Sequence, residues 1–82
     1  MVSDIVKLAK VALSDVDRAK VIALLDGVNL TKAERDIVQR TELEGERLYD
    51  MADAYNLSID SVSLIKRQAL RKIGIFITQK LQ

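Results

Sequence analysis

The stretch from Leu48 to Ile73, LYDMADAYNLSIDSVSLIKRQALRKI, constrains the fold more than any other part of the chain. It carries two apolar stripes at helical spacing, separated by only a few residues. Met51 and Tyr55 form the first, and Val62, Ile65, Ala69 and Ile73 form the second, at steps of three and four. So short a connection makes two helices cross steeply, and only a small residue fits where their backbones approach. Ala52 stands there on the first helix. The corner needs a left-handed backbone, which Gly adopts freely and Asn tolerates, and Asn56 occupies it. Leu57 is predicted to plug that corner. Ser58 or Asp60 is predicted to accept a hydrogen bond from the free amides opening the second helix. Together these features describe a helix-turn-helix.

The remainder reads as helical support. There is no Pro, and the three glycines, Gly27, Gly45 and Gly74, fall where helices would end or bend. Tyr49, Tyr55 and Phe76 are the only aromatics in a chain that is 49% hydrophobic, so the core is built of Leu, Ile, Val and Ala. We expect one all-α domain, a bundle of about five helices, at a length of 82 residues where a single core is barely sufficient. Ser3 is the expected cap of a first helix that faces inward through Ile5, Leu8, Ala9 and Ala12 and ends by Leu13. Ser14 and Asp17 resemble a capping box for a second helix using Val16, Ala19, Ile22, Ala23 and Leu25, stopped by Gly27. Residues 1–29 would then form an antiparallel helical hairpin.

Thr31 and Glu34 make a better capping box for a third helix with Ala33, Ile37, Val38 and Thr41 inward and its end at Gly45. The fourth helix is predicted from about Glu46 to Tyr55 and the fifth from about Asp60 to Ile73 or beyond, with Gly74 as a bend. In residues 74–82 the side chains Ile75, Phe76, Ile77 and Leu81 form an apolar tail that needs cover, from the same chain or another.

Several chemistries are excluded. With no Cys and no His, there are no disulfides, zinc fingers or histidine catalysis. Glu42, Glu44 and Glu46 are spaced by two, which spreads them around a helix instead of aiming them together. Ser58, Ser61 and Ser63 have no histidine to activate them, and no Gly-rich loop precedes a helix. Neither enzyme activity nor a metal or cofactor is expected. No apolar run reaches the roughly 18 residues of a membrane span, and the start lacks a basic segment followed by an apolar one. A soluble, cytoplasmic protein is the expectation.

Charge is distributed unevenly along the chain. Residues 1–29 carry four basic and four acidic groups, residues 30–60 four and eight, and residues 61–82 five and none. A polyanion would be drawn to the last segment and repelled by the middle one, which would orient the protein on nucleic acid.

The run from Leu30 to Ile73 resembles region 4 of bacterial sigma factors and the helix-turn-helix of LuxR-type regulators. The likeness rests on Leu30-Thr31, Glu34-Arg35 and Ile37-Val38. It continues through Met51-Ala52, Asn56-Leu57-Ser58, Val62, Ile65 and Ala69-Leu70-Arg71-Lys72-Ile73. Asn56 stands where the family usually has Gly. The resemblance implies that the second helix enters the major groove of double-stranded DNA, with Ser58, Ile59, Asp60, Ser63, Leu64 and Arg67 nearest the base edges. Phosphate contacts would come from Lys66, Arg67, Arg71 and Lys72. Base-edge hydrogen bonds would come from Ser58, Ser61 and Ser63, and an apolar touch on a thymine methyl from Ile59 or Leu64. Asp60 would either accept from a cytosine amine or serve as the helix cap.

The expected function is thus that of a small bacterial or phage transcriptional regulator. Alternatives are a protein-interaction module docking on RNA polymerase or another regulator, and the DNA-recognition subunit of a packaging or recombination machine. A homodimer with Phe76 in or beside its interface is expected, because it would cover the tail and present two reading helices.

Overall fold

In the computed structural model, which describes residues 4–80, helix α1 spans Asp4–Leu13, α2 Arg18–Gly27 and α3 Lys32–Val38. The third helix widens into one π-helical turn, Gln39–Leu43, before α4, Leu48–Tyr55, and α5, Ile59–Lys80. Among the described residues the fold is all-α, as the sequence predicts. Ser3 and Leu81 lie outside them.

Helix α5 is the element on which α1, α3 and α4 pack. Its first half closes a small core with α3 and α4, made of Ile37, Met51, Ala52 and Val62, with Leu48, Tyr55 and Ile65 half-buried at the edge. Its second half contributes Ala69, Leu70 and Ile73 to a larger core with Val6, Ala9, Leu13, Val21, Leu25 and Val38. The apolar tail is therefore the last part of α5, and the N-terminal helices cover it. Ile77 packs on the larger core, the Phe76 ring lies against Gly27, and Ile75 stays exposed.

Gly74 does not bend α5, which runs through it. It is buried because the backbone of α1 crosses there. A Cβ at this position would overlap the Ile5 carbonyl and its Cγ2. The glycine is a contact point, where sequence alone suggested a hinge.

Four other expectations are corrected. The buried stripe of α1 is Val6, Ala9 and Leu13, with Ile5, Leu8 and Ala12 only half-buried. Both sets have helical spacing, so the period alone cannot choose between adjacent stripes. Ser14 does not open α2; its hydroxyl donates to the Val11 carbonyl at 2.7 Å and finishes α1. Asp17 is the cap, accepting from the Ala19 and Lys20 amides, which leaves Val16 outside the helix and fully exposed. The inward residues of α2 are accordingly Val21 and Leu25, while Ala19 and Ala23 face solvent. Finally, α1 does not zip onto α2 as a self-contained hairpin, since its main neighbour is α5.

The capping box of α3 forms as expected, with Glu34 accepting from the Thr31 amide at 2.8 Å and Thr31 accepting from the Glu34 amide at 3.1 Å. Gly45 ends that segment in the left-handed region, at φ 72°.

Gly74→Ala tests the α1–α5 seat. Alanine favours a helix interior over glycine by about 1 kcal/mol, but here its methyl meets backbone that cannot swing aside, and overpacking costs about 1–3 kcal/mol. The expected result is a melting temperature lower by several degrees with helical content retained, read by circular dichroism. An unchanged or raised midpoint would show that α1 does not seat there.

Candidate nucleic-acid interface

The turn between α4 and α5 is built as its residues require. Asn56 ends α4 at φ 55° and ψ 45°, and the Leu57 amide turns back to donate to the Ala52 carbonyl at 2.9 Å. That geometry points the Leu57 side chain outward, where it is 43% exposed, so the corner is filled by Met51, Ala52 and Val62 instead. Ser58 opens α5, its Oγ accepting from the Ser61 amide at 3.1 Å and donating to Ser61 Oγ at 2.9 Å. The choice between Ser58 and Asp60 as cap is thereby settled for Ser58, and Asp60 is exposed on the first turn, where its charge complements the helix dipole.

On α5, Asp60, Leu64, Arg67, Gln68, Arg71 and Ile75 recur at steps of three and four and are all exposed. They form one outer ridge opposite Val62, Ala69 and Ile73. Ile59 lies exposed at the flank towards the turn, and Ser63 is half-buried. Gln68 was not singled out by sequence reasoning. Its spacing of four from Leu64 and three from Arg71 is the signal that places it.

The four cations of α5 expected to contact phosphate divide into two kinds. Lys66 is mostly buried and pairs with Glu42 of the π-helical turn at 3.0 Å. Lys72 reaches Glu34 at 2.8 Å. Arg67 and Arg71 are exposed and have no ion-pair partner among the described residues. Four phosphate-contact candidates thus reduce to two with no acidic partner and two already paired.

Behind the ridge, a polar network fixes α4 against α3. Arg40 grips Glu46 through Nε at 2.7 Å and Nη2 at 3.0 Å, and reaches Asp36 at 3.4 Å. Asp36 also accepts the Tyr55 hydroxyl at 2.5 Å. The Arg40 hydrogen bond holds the Glu46 carboxyl below the usual range, and the guanidinium is raised in turn. The bond to Asp36, with burial, raises the Tyr55 phenol. An open hollow of about 610 Å³ lies beside this network, lined by Lys32, Ala33, Arg35, Asp36, Gln39 and Tyr55. Its Arg35 pairs with Asp26 at 2.5 Å, and its Asp36 is held by Arg40 and Tyr55.

Glu34 is 4% exposed and joins the Thr31 amide to Lys72. Burial pushes its carboxyl upward, but the Lys72 ammonium and the Thr31 hydrogen bonds prevail and hold it below the usual glutamate range. No family model, curated protein or solved structure matches the chain.

The depressed Glu34 carboxyl has a consequence for stability. Its contribution is present above the unfolded-state value of about 4.3 and is lost as the pH falls through the lower folded value. Glu34→Gln should therefore lower the neutral-pH melting temperature and flatten the loss of stability on acidification below about pH 5. Some slope should remain, since Glu46 is depressed in the same sense. A wild-type acid slope in the variant would show that the Lys72 pair contributes nothing.

Proposed function

We propose that this protein is a small sequence-specific DNA-binding regulator of transcription that lays α5 in the major groove. The observation supporting this is the pairing pattern on α5. Lys66 and Lys72 have acidic partners, whereas Arg67 and Arg71 stand on an exposed ridge of a helix-turn-helix without any among the described residues. A duplex supplies what such a ridge lacks, phosphates for the guanidinium groups and base edges for the side chains between them. The resemblance of Leu30–Ile73 to sigma region 4 and LuxR-type motifs supports the same reading. Arg67 and Arg71 then carry the phosphate contacts. Lys66 and Lys72 would first have to leave Glu42 and Glu34.

One feature favours a second reading, docking on a protein such as RNA polymerase. Tyr49, Leu57 and Ile59 are exposed around a hollow of about 320 Å³ at the turn, lined also by Ala52, Asp53, Asn56 and Ser58. An apolar side chain of a partner would fit there.

The two readings separate on salt. Wild-type protein should bind random duplex DNA with an affinity that falls as salt rises. Replacing Arg67 and Arg71 together by Ala should weaken binding to every duplex and reduce the salt slope by roughly one unit per lost phosphate contact. An undiminished slope would move the DNA surface elsewhere, and no shift at low salt would favour protein docking.

Pairing of two copies belongs to the same proposal, because two reading helices on half-sites about one DNA turn apart would supply the discrimination one lacks. The remaining apolar surface at the end of α5 is Ile75 with the half-buried Phe76. Light scattering should give the mass of two chains, reduced to one by Ile75→Glu with helicity unchanged. A wild-type mass of one chain would rule the pairing out.

A further inference from the structure

Read as a DNA-facing surface, the ridge has an unusual distribution of hydrogen-bonding groups at its reading end. The Ser58 hydroxyl donates to Ser61 Oγ and accepts from the Ser61 amide, so it has no hydrogen left for a base. Ser61 lies about a quarter-turn round from the line of Asp60, Leu64 and Arg67, and Ser63 is half-buried on the other flank. The serines, which the sequence offered as base readers, are thereby removed from the centre of the ridge.

At that centre stands Leu64, 53% exposed. One turn before it is the Asp60 carboxylate, an acceptor only. One turn after it are the Arg67 guanidinium and the Gln68 amide. No apolar residue of the ridge lies nearer than Ile75, so Leu64 is an isolated hydrophobic probe between the Asp60 acceptor on one side and, on the other, the Arg67 donor and the Gln68 amide, which both donates and accepts. In the major groove only thymine, among the four bases, presents an apolar group, its 5-methyl. Its partner adenine presents an amine that a carboxylate can accept from, as does cytosine.

Resting on the DNA-binding reading above, we infer that Leu64 recognises a thymine by its 5-methyl group and that this apolar contact determines sequence preference at the reading end. Asp60 selects a neighbouring base that offers an amine, and it disfavours guanine, whose major-groove edge carries acceptors alone. The unpaired arginines supply affinity without preference. Ile59, on the flank towards the turn, is not needed for the discrimination.

The test uses the whole chain and a random-core duplex pool with G·C-rich ends. Duplexes enriched by wild-type protein are resynthesised with deoxyuridine in place of thymidine, which removes the methyl and leaves every hydrogen-bonding group in place. Wild type should bind the uracil form about fourfold more weakly for one lost methyl contact. Leu64→Ser, an exposed substitution whose folding circular dichroism verifies, should bind thymine and uracil forms alike, while Ile59→Ser should keep the wild-type ratio. Equal wild-type binding to both forms overturns this inference and leaves the DNA-binding reading standing. So does a ratio that survives Leu64→Ser. Failure to enrich any duplex overturns both.

Discussion

Helix α5 is one continuous helix that two cores must share, and this fixes the direction in which its outer ridge faces. Val62 is held by α3 and α4, and Ala69, Leu70 and Ile73 are held by α1 and α2. Rotating α5 by a single residue would carry Ser63 and Arg71 towards those cores and bring Val62 and Ile73 out. Loss of the buried groups alone would cost several kcal/mol. The phase of Asp60, Leu64 and Arg67 is therefore set by burial on the opposite side. The absence of a side chain at Gly74 is what lets α1 come close enough to hold the far end.

Ion pairs then specify how the motif sits on that helix. Glu42 and Glu34, from the π-helical turn and the start of α3, each take one lysine of α5. Arg18 of α2 donates to the Leu43 carbonyl at 2.8 Å, where the widened turn ends. Fully exposed pairs contribute little each, but neither of these lysine pairs is fully exposed, Lys66 and Glu42 being 18% and 22% exposed. The Glu34 carboxylate is the most enclosed, and at only 4% exposed it has no water to replace a lost partner. Removing Lys72 would leave a buried charge, so that lysine's first role is structural.

Local signals in the sequence read well wherever one residue type had one physical solution. Ala52 at the crossing, Asn56 in the left-handed corner and the Thr31–Glu34 box each have few substitutes, and each sits as its type requires. Reading failed where two solutions were equally local. Ser14 could cap forwards or finish the helix behind it, and the carboxylate of Asp17 outcompeted it. Leu57 was placed by hydrophobicity, but the backbone hydrogen bond to Ala52 decides its direction. Gly74 illustrates the limit most clearly, since its reason for being glycine is a backbone some seventy residues earlier in the chain. At the candidate site, exposure along α5 was legible from the period. The pairing of Lys66 and Lys72 was not, because their partners lie on elements that sequence cannot orient.

The charge asymmetry of the chain takes a different meaning once those partners are known. The five basic groups of residues 61–82 look like one cationic surface, yet two are neutralised by glutamates and Lys80 lies over the Phe76 ring at 5.4 Å. Lys80 keeps its charge there, so what remains for a polyanion is Arg67 and Arg71 with Lys80 at the far end of α5, while Asp60 on its first turn and Asp53 of α4 are exposed near its start. In the proposed complex this gradient opposes laying the whole helix flat along a phosphate ridge, where the carboxylates would be repelled. It favours a tilted helix whose acidic first turn points at the groove floor, where base amines are donors, with its arginines at the phosphate rim. That is the orientation in which Leu64, between them, reaches a base edge.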